Sequence, residues 1–186
     1  MSYALDQLLT LGPTLRAIAV QLFDEGLATG IASALRTVDE QAHAMAVNEA
    51  NHPGYVRETY RESSVRDAIF AALSRLIENI RKTPGFDVAG LTESQLYEAA
   101  GGVPALETTI LGALATPGLN LRDLSWHLPG EDGRADAVDL LPVGEGPLAT
   151  RAKELIAQAV AGGADARSCV LTDEAGHKVC HLQVAA

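Results

Sequence analysis

The spacing of apolar residues changes near residue 118, and this change constrains the fold more than any other feature of the sequence. Before it, apolar residues recur every three or four positions, as on one face of an α-helix; after it, strand-like segments flank a single amphipathic stretch. The sequence therefore predicts an α+β fold, with about five helices followed by a small, mostly antiparallel sheet that carries one packed helix. The predicted domains are residues 1–118 and 119–186.

Proline and glycine mark the ends of the five predicted helices. Proline suits the first turn of a helix, and it also biases the residue before it away from helical geometry. Pro13 and Pro104 stand at predicted helix starts, whereas Pro53, Pro84 and Pro117 stand just after predicted helix ends. The predicted helices are 13–25, about 30–51, 64 to the stop at 83–85, 92–100 and 104 to about 115.

The second part of the chain is predicted to form the sheet. Apolar residues alternate in Leu121–Leu128, and a second strand is expected within Ala135–Val143. Pro147–Ala161 has the apolar spacing of a helix. The final hairpin is predicted over Ser168–Val184, with its turn at Asp173–Gly176, where glycine suits a left-handed position.

Residues 121–186 carry a series of short motifs that occur together in one domain family. The pieces are Ser125-Trp126-His127-Leu128, Glu131-Asp132-Gly133, Leu141-Pro142, the alanine-rich stretch 149–160, and 170–176, which reads Val-Leu-Thr-Asp-Glu-Ala-Gly. This region resembles a short uncharacterised bacterial family whose members run strand, strand, helix and hairpin. The family has no assigned activity, so the resemblance implies a fold only.

Charge and hydropathy exclude two classes of partner. The formal net charge is −10, which repels phosphate backbones and anionic membrane surfaces. No run of about 18 apolar residues is present, so a membrane-spanning helix is not expected. We expect a soluble, cytoplasmic protein, or one assembled into a particle in the cytoplasm, that binds neither nucleic acid nor membrane.

The final hairpin contains four residues of metal-ligand type. Thiolate and imidazole are ordinary zinc ligands, and a loop at 174–176 would place Cys169 opposite His181. A slip of one residue would instead place Cys169 opposite Cys180, where a disulfide could form. The prediction is that the cysteines are small buried hydrophobic residues and that no metal or cofactor is bound. The alternative metal ligands are Cys169, His177, Cys180 and His181.

Two Glu-x-x-His pairs invite comparison with carboxylate metal sites in helical bundles. Glu40 and His43 form the first pair, and Glu49 and His52 form the second. Nine residues separate the pairs, so on one helix they face opposite sides and cannot share a metal ion. Both pairs are predicted to be solvated.

Residues 93–115 look like a helix-turn-helix, a motif that binds DNA. No Lys or Arg occurs between Lys82 and Arg122, however, so a packing pair of helices is predicted.

The functional hypothesis that follows is a non-enzymatic subunit of a larger assembly, such as a virion, acting through protein contacts or self-association. No nucleophile elbow and no phosphate-binding glycine loop is present. Two alternatives stay open: a regulatory domain that binds a small molecule, and a small enzyme that uses His127 or the pair Cys169 and His181. The predicted interface is the dense charged region Arg57, Glu58, Arg61, Glu62 and Arg66.

Overall fold

The computed structural model describes residues 2–130, 132–174 and 177–185, and it describes side chains within these ranges except at 2–5, 145, 166–174, 177, 178 and 185. The described residues form eight α-helices, one 3-10 turn and four β-strands, which confirms the α+β class. The helices are α1 Ser2–Leu9, α2 Pro13–Asp24, α3 Val38–Asn51, α4 Tyr55–Thr59, α5 Ser64–Arg81, α6 Glu93–Ala99, α7 Gly102–Leu114 and α8 Glu145–Ala161. The strands are β1 Ala28–Ser33, β2 Ala137–Pro142, β3 Asp165–Glu174 and β4 His177–Ala185.

The chain divides into two compact units. Residues up to Arg36 and from Trp126 onward form one, which we call the sheet unit, and Thr37–Ser125 form the other, the helical unit. This division differs from the predicted domains 1–118 and 119–186 because the first 36 residues belong with the C-terminal sheet. The reason is β1, which pairs with β2 far along the chain.

The sheet has four strands among the described residues, in the order β1, β2, β4, β3, and all neighbours are antiparallel. Side chains alternate between the two faces of a strand. Val138 and Leu140 of β2, with Leu182 of β4, join the buried core that also contains Leu15 of α2 and Leu148 of α8. Asp139 and His181 therefore lie on the other face of the sheet.

The predicted second helix starts too early, because Ala28–Ser33 forms β1 and the helix begins only at Val38. Thr37 sets that start with a capping box. Its side-chain oxygen accepts a hydrogen bond from the Glu40 backbone N–H at 3.1 Å, and Glu40 Oε2 accepts one from the Thr37 backbone N–H at 2.7 Å. Each bond satisfies a backbone donor that a helix leaves unpaired at its first turn.

The predicted strand Leu121–Leu128 is wrong. Leu121–Asp123 form a 3-10 turn, and Trp126–Leu128 lie in irregular backbone. The latter segment is fixed by two backbone hydrogen bonds, from Arg36 N–H to the His127 carbonyl at 2.9 Å and from Asp136 N–H to the Trp126 carbonyl at 3.0 Å. The predicted strand within Ala135–Val143 and the helix Pro147–Ala161 are confirmed as β2 and α8.

The final hairpin forms, but both predicted registers are wrong. Glu174 pairs with His177, and as a result Cys169 lies opposite Leu182, whereas Cys180 lies opposite Leu171. The pairing is shifted by one residue from the predicted one because the strands extend closer to the turn. Of the predicted turn residues, Ala175 and Gly176 lie outside the described residues.

Helices α6 and α7 pack into the core of the helical unit. Leu96 of α6 and Leu106 and Ile110 of α7 are buried together with Met45 of α3 and Ile69 of α5. The segment that looks like a helix-turn-helix therefore contributes apolar side chains from both of its helices to this core.

The Glu49 carboxylate is buried in the helical unit, so the prediction of a solvated side chain is wrong for this residue. Its oxygens accept hydrogen bonds from the backbone N–H groups of Gly54 and Val56, at 2.7 and 2.8 Å, and from the Tyr97 hydroxyl at 3.0 Å. Burial, together with the charge of Glu49, raises the pKa of Tyr97 far above its usual range, so the hydroxyl remains a donor. Glu49 thus holds α3 to α6 and to the start of α4.

We expect Glu49→Gln to lower the free energy of unfolding by about 2–3 kcal/mol, because the new amide N–H₂ would face a backbone N–H with no acceptor between them. The measurement is urea denaturation followed by circular dichroism. Glu40→Gln is the matched control, since Gln95 already closes an equivalent capping box with Thr92 at the start of α6. An equal, small effect of both substitutions would contradict a role for the Glu49 charge.

Candidate metal centre

Asp139 lies in the middle of β2, directly opposite His181 of β4 and Ser33 of β1. Its side chain is 1% exposed, although it is ionisable. Fully buried carboxylates are rare in proteins unless they are paired or coordinate a metal ion. The groups around Asp139 therefore decide whether its carboxylate is paired within the protein or is suited to bind a metal ion.

His127 reaches the same carboxylate from the irregular segment that precedes β2. The side chain is buried, and its Nδ1 lies 2.7 Å from the Ala34 carbonyl oxygen. Because a carbonyl oxygen only accepts hydrogen bonds, Nδ1 carries the proton and donates a hydrogen bond to the Ala34 carbonyl. Nε2 then keeps its lone pair, and this atom lies 3.4 Å from Asp139 Oδ2.

His181 contacts the other carboxylate oxygen. Its Nδ1 lies 2.6 Å from Asp139 Oδ1, and its ring centroid lies 5.2 Å from that of His127. One ligand atom from each of His127, Asp139 and His181 lies within 4.8 Å of the others. The two oxygens of Asp139 are thus unequal: Oδ1 accepts a hydrogen bond, whereas Oδ2 is a buried side-chain atom that, within the described residues, has no hydrogen-bond donor.

Arg36 is the nearby positive charge. Its Nη2 lies 3.6 Å from Asp139 Oδ2, beyond hydrogen-bond distance, and its Nε donates to the Ser33 hydroxyl at 2.7 Å. The Arg36 side chain is 17% exposed and that of His181 is 20% exposed. Solvent therefore reaches the cluster on the side of these two residues.

The pKa shifts give the protonation states of the metal-free cluster. The pKa of His127 is lowered to about 4, mainly by burial; Asp139 and the hydrogen bond to Ala34 raise this pKa, whereas the charges of Arg36 and His181 lower it. Burial alone would raise the pKa of Asp139, but the His181 hydrogen bond and the charges of His127, His181 and Arg36 hold that pKa below its usual range. At neutral pH the cluster contains a neutral His127 imidazole and an Asp139 carboxylate.

These are the forms that bind metal ions, since a ligand must offer a lone pair. Two atoms held by one zinc ion at about 2.1 Å lie about 3.4 Å apart in a tetrahedral arrangement. The separation of His127 Nε2 and Asp139 Oδ2 matches this value. A hydrogen bond from the second ring nitrogen to a backbone carbonyl, such as His127 makes with Ala34, is the usual way in which a ligating histidine is oriented.

No relative was found for this chain. Comparisons with protein-family models, with curated proteins and with solved structures all returned no match. The resemblance of residues 121–186 to a short bacterial family stays a prediction. A functional proposal for this protein is therefore based on the geometry of the cluster formed by His127, Asp139 and His181.

The structure brings together two residues that the sequence singled out, His127 and His181, and adds Asp139, which sequence reasoning missed. The signal for Asp139 was a single acid in an otherwise apolar strand, Ala-Val-Asp-Leu-Leu-Pro. Cys180 is buried in the apolar core on the other face of β4, apart from His181. Cys169 and His177 lie in β3 and β4, but their side chains are outside the described ones.

The predicted interface residues lie on α4, on the segment after it and at the start of α5, in the helical unit. The Arg57 guanidinium lies over the ring of Phe70, 5.3 Å from its centroid, and Arg66 forms an ion pair with Asp67 at 2.9 Å. These are contacts between neighbouring residues of one chain, and a partner for this region stays a prediction. The predicted set is Arg57, Glu58, Arg61, Glu62 and Arg66.

Among the helices that lie within the described residues, none combines the length and the apolar composition needed to cross a bilayer.

Proposed function

We propose that this protein binds a divalent transition metal ion, with zinc as the best match, through His127, Asp139 and His181 of the sheet unit. The observation that supports this most strongly is Asp139 Oδ2, a buried carboxylate oxygen that has no hydrogen-bond donor among the residues that the structure describes and lies 3.4 Å from His127 Nε2. Two acceptors that face each other at 3.4 Å gain nothing from their contact. A cation between them removes this conflict.

The cost of burying an unpaired oxygen also favours a bound cation. A buried polar atom without a partner costs about 1–3 kcal/mol, and more when it is charged. A metal ion bound to Oδ2 offsets this cost with a coordinate bond. The ligand atoms lie within 4.8 Å of one another, and a tetrahedral zinc site holds its ligand atoms about 3.4 Å apart, so a contraction of up to about 1.4 Å would close the site around the ion.

The donor set favours zinc and its neighbours over magnesium or calcium. Magnesium and calcium prefer oxygen ligands, whereas two imidazoles with one carboxylate suit zinc, iron, cobalt and nickel. Three protein ligands also occur in catalytic zinc sites, where a fourth position takes water or substrate. The hypothesis of an enzyme that uses His127 stays a prediction, and the metal centre would be its natural location.

A cobalt titration tests the proposal. Cobalt(II) occupies zinc sites and gives visible absorption that depends on its ligands, and Trp126, the single tryptophan of the chain, is buried directly beside His127. We expect one equivalent of Co²⁺ to produce visible absorption and to quench Trp126 fluorescence, and one equivalent of Zn²⁺ to reverse both. The protein is first dialysed against a chelator. Weak binding of several equivalents, with no effect on Trp126, would instead indicate surface carboxylates and would refute the proposal.

The hypothesis of an assembly subunit stays a prediction, and a metal centre in the sheet unit is compatible with it. Its test is the absolute mass in solution, measured by light scattering after size exclusion at two protein concentrations. A closed oligomer would support it, and a monomer at both concentrations would leave assembly dependent on another protein.

A further inference from the structure

Strand β3 is an edge strand of the sheet, because the strand order is β1, β2, β4, β3. Every residue of Asp165–Glu174 except Arg167 has a partner in β4. Within the described part of the chain, no strand pairs with the outer side of β3. An edge strand presents a row of backbone N–H and C=O groups on its outer side, and such a row is a template for another strand.

The two edges of the sheet differ in how well they are protected against further pairing. Proteins protect an edge with a short strand, with bulges, with proline or with charges. Strand β1 has six residues, and its pairing with β2 is irregular at two places. Strand β3 is longer and lacks proline, its one irregularity lies near its start, and Ser168–Thr172 is uncharged. The edge at β3 is therefore better suited to accept another strand.

The charges along β3 indicate which strand this is. Arg167 stands near the start of β3, and Asp173 and Glu174 stand at its end. When two identical strands pair antiparallel, the start of each lies beside the end of the other, so the basic position of one copy comes next to the acidic positions of the other, twice. Opposite charges across a strand pair stabilise it, and like charges destabilise it. The sequence of β3 thus complements itself.

We infer that β3 is a dimerisation edge, at which two copies of this protein pair their β3 strands antiparallel about a twofold axis. The two four-stranded sheets then form one continuous sheet. Backbone hydrogen bonds along Ser168–Thr172 supply the attraction, and the charges at both ends set the direction of pairing. One pair of strands buries less surface than the about 1,200 Å² of a stable specific interface, so the dimer is in equilibrium with the monomer. This inference does not depend on the metal site.

The first test combines analytical ultracentrifugation with hydrogen exchange, both in the presence of a chelator. Over about a 100-fold range of protein concentration, we expect the mass to rise from that of a monomer to that of a dimer. The backbone amides of β3 should exchange more slowly at the high end of this range than at the low end. A monomer throughout, or a dimer whose added protection lies only in the helical unit, would overturn the inference.

Charge reversal tests the direction of pairing. Arg167→Glu, and separately Asp173→Arg combined with Glu174→Arg, should each weaken the dimer by at least about tenfold, because like charges then meet at both ends. An equimolar mixture of the two variants should dimerise again, since each basic end now meets an acidic end of the other variant. Arg61→Glu is the matched control, an exposed arginine of the predicted interface in the helical unit, and should behave like the wild type.

The mixture distinguishes pairing from damage to the fold, because a variant that fails to fold is not rescued by a second one. Trp126 fluorescence and thermal unfolding of each variant check the fold independently. Equal dimerisation by Arg167→Glu and wild type, or a mixture as monomeric as its components, would overturn the inference. Loss of the dimer in Arg61→Glu alone would also overturn it and would place the interface in the helical unit.

Discussion

Asp139→Asn will lower the affinity for Co²⁺ and Zn²⁺ by at least about 100-fold and leave the metal-free protein folded. The loss follows because an amide carries no charge and its nitrogen has no lone pair for a metal ion, and because even residues that only orient metal ligands are worth 10–100-fold. The change is measured by Co²⁺ titration and by zinc competition against a chromophoric chelator.

The same substitution should not destabilise the metal-free protein. The new amide N–H₂ can occupy the place of Oδ2 and donate to His127 Nε2, while the amide oxygen continues to accept from His181 Nδ1. The free energy of unfolding should therefore stay within about 1 kcal/mol of the wild-type value or rise. This combination separates a metal ligand from a structural carboxylate, whose loss would cost stability and leave metal affinity unaffected.

Asp165→Asn is the matched control, because Asp165 is an exposed acid in the same sheet, at the start of β3. It should leave both metal affinity and stability unchanged. If Asp139→Asn and Asp165→Asn had equal metal affinity, Asp139 would not be a ligand.

The second large effect is a loss of stability in mild acid. The pKa of His127 is about 4 in the folded protein, whereas an unfolded histidine titrates near 6.5. Between these values the unfolded chain binds a proton that the folded chain does not, so the free energy of unfolding falls as the pH falls from about 6.5 to 4. This difference in pKa corresponds to about 3 kcal/mol of stability, which is fully present above pH 6.5 and is lost as the pH falls towards 4. The lowered pKa of Asp139 adds a further loss only at still lower pH, where the unfolded carboxyl takes up its proton.

His127→Asn should remove most of this pH dependence, because asparagine does not titrate and its amide can still donate to the Ala34 carbonyl. His52→Asn is the control, since the His52 side chain is 65% exposed and pairs with Glu58 in the helical unit. The measurement is urea denaturation at a series of pH values, with chelator present, followed through Trp126 fluorescence. A wild-type protein as stable at pH 4.5 as at pH 7 would contradict a buried, neutral His127.

The elements that the sequence predicted are those with strong local signals. Helix α8 and strand β2 carry clear apolar periods of their own, and α3 ends where Pro53 requires it. Strand β1 was missed because Ala28–Ser33 consists mostly of small residues, and its pairing with β2 is irregular at two places. Strand β1 is stabilised by its pairing with β2, which is far along the chain, and the residue pattern within β1 does not predict that pairing.

The candidate site shows the same limit. His127 and His181 were recognised as chemically capable residues, but His127 was considered alone and His181 was paired with Cys169 of the same hairpin. The true neighbour of both is Asp139, which lies 42 residues before His181. A shift of one residue in the hairpin was enough to change every cross-strand pair. The register of β2 against β4 brings the carboxylate to the His181 ring, and the hydrogen bonds of the irregular segment before β2 place His127 beside it.

X-ray absorption spectroscopy of the protein loaded with one equivalent of zinc tests the metal centre most directly, because it identifies the atoms bound to the ion. The proposed ligands predict a shell of nitrogen and oxygen atoms at about 2.0–2.1 Å, with the outer-shell signals of two imidazole rings. A sulfur neighbour at about 2.3 Å would place the ion at a cysteine. A shell of oxygen atoms without imidazole would place it on surface carboxylates, and either result would contradict a site formed by His127, Asp139 and His181.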